Sequence, residues 1–359
     1  MTVNLFDANF YRAANSDLAR FSDAQALSHF QNYGLNEGRA FSLFADLKFY
    51  RSSNSDLAGL GNRQLFDHIQ NYGINEGRSF SPFVDLNYYR AANGDLASLS
   101  NEQLFSHFQN YGLDEGREFS AFINLDSYPL YNPDLINLDY RQLLTHLEIY
   151  GLKEGRSFDE IVDLNLYLSV NSDVNRTYGG DRSLALQHLE VYGINEGRTF
   201  SQFFDLNYYK SNNPDLAAAG LSSGKQLLDH FELYGFYQGR AGRSDYAGNT
   251  LSTARNITLD YSARFLIDFV GTSDSDDYYR FTLNQTSTIY LGIASISDMY
   301  DMYGELLDSS GGLLDSGTIP FDDVLELEYT FNPGTYFLHL QPLSGNNNYQ
   351  IIAFKRFST

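Results

Sequence analysis

Six near-copies of one eleven-residue pattern leave this chain few folds to choose from. The third copy reads His107-Phe108-Gln109-Asn110-Tyr111-Gly112-Leu113-Asp114-Glu115-Gly116-Arg117. The histidines are His29, His68, His107, His146, His188 and His230, spaced by 39, 39, 39, 42 and 42 residues. Tyr-Gly follows each one, and ten residues on stands Arg39, Arg78, Arg117, Arg156, Arg198 or Arg240. A period in this range marks stacked supersecondary units, each unable to bury its own apolar face alone.

Each unit reads as two helices. Asp7, Asp46, Asp85, Asn124, Asp163 and Asp205 stand at the start of the first, where a short polar side chain accepts the free amides of a first turn. Eight residues later comes Asn, as at Asn93, which tolerates a left-handed helix end, and then Asp95 caps a short turn. Pro133 and Pro214 fall here, in a place no helix interior would accept. Ser22-x-x-Gln25, Ser100-x-x-Gln103 and Ser223-x-x-Gln226 are capping boxes for the second helix. Its apolar stripe is expected through Leu27, Phe30 and Tyr33, or Leu104, Phe108 and Tyr111, with a stop at Gly34 or Gly112. Three extra residues in each of the last two units, near Thr177-Gly180 and Ala219-Ser222, are expected to lengthen a loop.

At 241–253 the composition turns to Gly, Ser and Asn, which reads as a linker. Beyond it the period becomes two. Seven strands are expected: Arg264–Val270, Tyr278–Leu283, Thr288–Ala294, Tyr303–Leu307, Leu325–Phe331, Thr335–Gln341 and Tyr349–Phe354. The fold expectation is thus multidomain α and β, a solenoid-like helical array followed by an antiparallel β-sandwich. The boundaries are six repeats over 1–240 (1–41, 42–80, 81–119, 120–158, 159–200, 201–240), a linker over 241–253 and a sandwich over 254–359.

The formal charge is −21, with no basic cluster, which argues against nucleic acid and anionic membranes as partners. There is no cysteine, so disulfides, thiolate metal sites and a cysteine nucleophile are excluded. No run reaches the ~18 apolar residues of a membrane span. The first residues lack a basic and then an apolar region, so the expectation is export without a classical N-terminal signal.

Two resemblances bear on these readings. The stretch Gly271-Thr272-Ser273-Asp274-Ser275-Asp276-Asp277-Tyr278-Tyr279-Arg280-Phe281, then Gly304-Glu305-Leu306-Leu307-Asp308, then Asn332-Pro333-Gly334-Thr335-Tyr336-Phe337-Leu338, resembles the bacterial pre-peptidase C-terminal domain. That resemblance implies a jelly-roll-like sandwich of secreted proteins, often beside a protease and sometimes binding calcium or an extracellular matrix. No protease precedes it here. The repeats resemble those of exported cyanobacterial proteins, which implies export rather than any chemistry.

Three side-chain sets invite a chemical reading. The six histidines cannot share a metal, because neighbouring helices pack about 8–10 Å apart and zinc needs nitrogens at about 2.1 Å. They are expected instead to bond the Tyr four residues on, on the same helix face. The six arginines, with Glu37, Glu76, Glu115, Glu154 and Glu196 two residues before them and Gln238 in the last unit, are expected to form ion pairs. Asp274, Asp276 and Asp277 offer clustered oxygens for calcium. Gly220-Leu221-Ser222-Ser223-Gly224 matches a hydrolase elbow but lies between helices, outside the strand-turn-helix context that motif needs. Most aromatic positions recur at the helix period and are expected in the core.

These features point to a non-enzymatic extracellular structural protein. It would be a self-assembling subunit of a filament, sheath or surface layer, joined head to tail, with no cofactor required and calcium as the one candidate. The alternative is an adhesin or matrix-polysaccharide binder.

Overall fold

A computed structural model describes residues 3–261, 263–296, 300–321 and 323–356. Met1 and Thr2, at the start of the expected first repeat, lie outside them. The chain divides into two compact units, one through Phe200 and one from Ser201. The sixth repeat falls in the second unit, where Phe203 packs against the sandwich core.

In the first unit each repeat opens on a short helix: Ala8–Ala14, Leu47–Ser53, Leu86–Ala92, Ser127–Tyr131 and Leu164–Val170. The Asp caps are formed, with Asp85 accepting from Asn87 N at 2.7 Å and Tyr88 N at 3.2 Å. Asn93 is not left-handed; its φ is −117°. Its amide instead donates to Tyr89 O and Glu118 O, tying the helix end to the segment that leads into the next repeat. A one-turn 3-10 helix follows in the first four repeats, as at Gly94–Leu96. In the fifth, the three extra residues do not lengthen a loop. They extend this turn into the helix Ser172–Tyr178, ended by Gly179 at φ +61°.

The second helix, such as Asn101–His107, runs on into a five-residue π turn in every repeat, here Phe108–Gly112. The π turn takes up one residue more than an α turn. The buried stripe therefore runs Leu104, Phe108, Gly112, Leu113, and Tyr111 is turned out to solvent. The expected stop at Gly34 or Gly112 is also displaced. Gly34 has helical φ of −58°, and the helix ends at Gly38, φ +68°. There Arg39 N bonds Gly34 O at 3.0 Å and Gly38 N bonds Leu35 O at 3.2 Å, the two bonds of a Schellman stop. Gly34 is needed for room: a Cβ there would overlap the hydroxyl of the buried Tyr11, and Gly73, Gly112, Gly151 and Gly193 face Tyr50, Tyr89, Tyr128 and Tyr167 in the same way.

Contacts join each repeat of the first unit to the next, and one, from Gln109 to Asn4, skips a repeat. Gln70 Nε2 donates to Val3 O at 2.8 Å, and Gln109 Nε2 to Asn4 O at 3.1 Å. Phe44 packs edge-on against Phe108, 5.3 Å between ring centres. Glu148 holds the position of Gln109 one repeat later, but a carboxylate has no hydrogen to donate. Its side chain is partly buried as a whole, while Oε2 is cut off from water and has no hydrogen-bond partner among the described residues. Desolvation, then the nearby Asp46, pushes its pKa well above the usual carboxylate range. Folding therefore loses stability through this group as pH rises above its unfolded value near 4. Glu148→Gln is expected to stabilise the chain by about 1–3 kcal/mol at pH 7, with the gain fading toward pH 4, in thermal melts across that range.

The second unit holds the sixth repeat and two sheets. Its helices are Leu206–Asn212, Pro214–Ala218 and Gly224–His230, the last capped by Ser223, which disposes of the hydrolase elbow. The strands are β1 Arg255–Asn256, β2 Arg264–Val270, β3 Asp277–Leu283, β4 Ser287–Ser295, β5 Met302–Leu307, β6 Leu313–Ile319, β7 Val324–Phe331, β8 Gly334–Pro342 and β9 Asn347–Lys355. One sheet has the order β1-β3-β8-β5-β6, the other β2-β9-β4-β7. All pairings are antiparallel except β1 with β3. Alternate residues such as Tyr279, Phe281, Leu283 and Ile289, Leu291, Ile293 point inward and fill the core between sheets. The seven expected strands are present. Two strands are additional: β1, of only two exposed residues, and β6, an edge strand of mostly half-exposed Asp, Ser, Gly and Thr that lacks an apolar alternation to read.

Candidate metal centre

The repeat histidines and arginines come first, since both sets are spoken for. Each histidine shares a hydrogen bond through Nδ1 with a buried tyrosine of the first helix: His29 with Tyr11, His68 with Tyr50, His107 with Tyr89, His146 with Tyr128, His188 with Tyr167 and His230 with Tyr209, all at 2.7–2.8 Å. The expected partner, the Tyr four residues on, touches the imidazole only by its ring. The two helices of a repeat are thus pinned to each other. Burial pushes the pKa of His188 and His230 down, which keeps the imidazole neutral. Each arginine bridges two partners. Arg39 binds Asp17 and Glu37, Arg78 Asp56 and Glu76, Arg117 Asp95 and Glu115, Arg156 Asp134 and Glu154, Arg198 Asp173 and Glu196. Arg240 takes Asp215 and Gln238. The Asp member of each set is the one that sequence spacing concealed.

The acidic loop behaves differently. Asp274 sits in the turn from β2 to β3, and Asp277 opens β3. Their carboxylates meet Asp245, from the segment between the last repeat and β1, and ligand oxygens of the three lie within 4.8 Å of one another. Asp245 and Asp274 border a cleft of about 230 Å³ lined also by Tyr208, Arg243, Asn249 and Asp268. Asp277 is fully buried. Its Oδ2 accepts from Tyr349 Oη, while Oδ1 has no hydrogen-bond partner among the described residues. Asp268, in the middle of β2, accepts from Ala247 N at 2.8 Å and from Tyr279 Oη at 3.2 Å, so it fastens the linker that carries Asp245.

Asp276 does not join this group. Its Oδ1 pairs with His339 Nε2 at 2.9 Å on the other side of the strand, and Glu305 holds His339 Nδ1 at 2.8 Å. Successive side chains of a strand point to opposite faces, which separates Asp276 from Asp277. The set that sequence spacing offered as Asp274, Asp276 and Asp277 is in space Asp245, Asp274 and Asp277, with Asp268 behind. Asp268 left one signal, an acid inside the apolar run Phe265-Leu266-Ile267-Asp268-Phe269-Val270. Asp245 left none, being 29 residues from Asp274.

Three carboxylates, Asp245, Asp268 and Asp274, line the cleft with one guanidinium, Arg243. Desolvation first, and then neighbouring carboxylates, push Asp277 and Asp268 above the usual range and Asp274 to about 6, while desolvation raises Asp245 against the opposing charge of Arg243. The donor set fits a hard cation. Two oxygens on one calcium at about 2.4 Å are at most about 4.8 Å apart, and the ligands here are carboxylates with an amide alongside at Asn249.

Fold and site together define a helical-repeat protein followed by a β-sandwich with an acidic cleft beside its linker. No family model matches the chain, and no curated protein matches it. Solved structures do match part of it. The pre-peptidase C-terminal domain of a Bacillus anthracis collagenase is 18% identical, over 28% of this chain and 92% of that one, with a TM-score of 0.25. A Yersinia pseudotuberculosis mitogen is 16% identical, over 27% and 88%, with a TM-score of 0.23. A carbohydrate-binding module in complex with calcium and xylotriose is 16% identical, over 24% and 78%, with a TM-score of 0.19. Among the described residues no helix is long and apolar enough to cross a membrane.

Proposed function

We propose that this chain is a non-enzymatic structural protein of the extracellular space, built to join copies of itself end to end and fastened by calcium in its C-terminal unit. The observation that carries the extracellular reading is the buried Asp277, clustered with Asp245 and Asp274 and holding one carboxylate oxygen without a partner among the described residues. A divalent cation satisfies all three, and extracellular calcium-binding modules work at 10⁻⁴–10⁻³ M, about the concentration range of that compartment. Asp245, Asp274 and Asp277 would hold the ion, and its charge would offset the repulsion that otherwise loosens the linker.

End-to-end joining rests on a gradient of burial. Leu27 in the first repeat is 40% exposed, Phe66 in the second is half-buried, and Phe105 in the third is fully buried, as are Leu144 and Leu186 after it. Among the described residues no repeat stacks on the first as the first stacks on the second, and an apolar position that is covered in later repeats is open there. At the other end the sandwich closes the sixth repeat: Asn348 Nδ2 donates to Phe236 O at 2.8 Å and to Arg240 O at 3.0 Å. Negative-stain microscopy and sedimentation of the full chain with calcium should reveal lengthening particles as concentration rises. Leu27→Glu should hold them single. Single particles for wild type at every concentration would end the assembly reading.

A further inference from the structure

One exposed aromatic residue recurs in every repeat, and the fold has no use for it in the core. Tyr33, Tyr72, Tyr111, Tyr150 and Tyr192 of the first unit are 48–60% exposed. The residues between each histidine and its tyrosine drift, from Phe-Gln-Asn to Ile-Gln-Asn, Leu-Glu-Ile and Leu-Glu-Val, while the tyrosine stays. Each ring lies against its histidine, 5.5–5.7 Å between centres, which fixes its orientation. The Nε2 of that histidine has no hydrogen-bond partner among the described residues and reaches solvent. Each repeat therefore displays a held aromatic face, a phenol and a free ring nitrogen.

The rungs are evenly placed. Asn62 Nδ2 donates to Leu35 O at 2.9 Å, and Arg63 reaches Gln31 O, so the second helices of adjacent repeats stand side by side. Helices packed this way are about 8–10 Å apart. A ligand that meets every rung must itself be linear and periodic. Its charge is constrained too. In each repeat of this unit one guanidinium stands between two carboxylates, as Arg39 between Asp17 and Glu37, and residues 1–200 hold 26 Asp and Glu against 15 Lys and Arg, a net −11. The whole chain carries −21. Polyanions are repelled.

We infer that the tyrosine ladder of the first unit binds a linear, uncharged polysaccharide. The sugar rings stack on Tyr33, Tyr72, Tyr111, Tyr150 and Tyr192, and their hydroxyls meet the histidine Nε2 atoms. The CH face of a neutral pyranose suits the negative face of an aromatic ring, and hydroxyls can either donate to or accept from imidazole. Weak rungs add up because the second contact along one polymer is intramolecular. This inference stands whether or not copies join end to end.

The test is affinity electrophoresis of the full chain through gels containing hydroxyethylcellulose, galactomannan or dextran, with alginate as the polyanion. Wild type is expected to be retarded by at least one neutral polymer and not by alginate. Tyr72→Ala/Tyr111→Ala/Tyr150→Ala should lower that affinity at least about tenfold, and the matching triple Phe variant, which keeps the rings, should retain most of it. Should the triple Ala variant fail to fold by circular dichroism, the single Ala variants must each weaken binding severalfold. Migration unchanged by every neutral polymer, equal retardation by alginate, or full retardation of the folded triple or single Ala variants would each overturn the proposal.

Discussion

Calcium at a hundred times its dissociation constant should raise the melting temperature of the C-terminal unit by about 5–10 °C. Mass action at that ratio contributes about 2.7 kcal/mol, and a unit of this size gains about 2–4 °C per kcal/mol. Asp277→Asn should abolish the response. The same substitution should raise the melting temperature of the calcium-free protein, since it replaces a buried, repelled carboxylate with a neutral amide. Opposite signs with and without calcium are what a metal ligand predicts; a purely structural Asp277 would move both in one direction. The pH dependence must also reverse. In calcium-free protein the folded pKa values of Asp274 and Asp277 lie above their unfolded values. Stability is then greatest below about pH 4 and falls as pH rises through about 6, where Asp274 ionises in the folded state. With calcium the bound carboxylates must be charged, so stability falls on acidification. Calorimetry at pH 5, 6 and 7.5, with calcium or with chelator, resolves the two slopes.

Gly151→Ala should destabilise the chain by about 2–3 kcal/mol, though Gly to Ala in a helix interior ordinarily gains about 0.5–1 kcal/mol. Gly151 has an ordinary helical φ of −57°, so the backbone does not object. The obstacle is Tyr128, whose hydroxyl fills the space of a Cβ while its Cζ lies at 3.1 Å. Moving Tyr128 breaks its bond to His146 and opens the pin between the two helices of the fourth repeat. Tyr128→Phe removes the overlapping oxygen at a cost of about 1 kcal/mol for the lost hydrogen bond. The double variant should therefore be less destabilised than the sum of the two singles. Urea melts of the four proteins give the coupling directly.

Much of this architecture could be read before any coordinates. The period of 39 and 42 residues announced a stacked array, and Asp85 and Ser100 marked helix starts because N-caps act within three residues of themselves. The alternation of Phe281, Leu283 and of Ile289, Leu291, Ile293 announced strands buried on one face. The misreadings share a cause. Tyr111 fell on the expected stripe only if the helix kept α geometry, and the π turn rotated it out. Gly112 looked like a helix stop because the sequence does not show that Tyr89, 23 residues earlier, occupies its missing side chain.

Local interactions, repeated, are what the order of residues determined by itself: caps, periods and turns follow from groups a few residues apart. Tertiary structure alone decided which acids share a cleft and which part. Asp276 and Asp277 are neighbours in the chain, yet the pleat of a strand sends them to opposite faces. Asp245 and Asp277 are remote in the chain, yet the linker laid along the sandwich brings their oxygens within reach of one ion. Burial there is a property of the assembled core, so the raised carboxylate pKa values exist only in the folded chain.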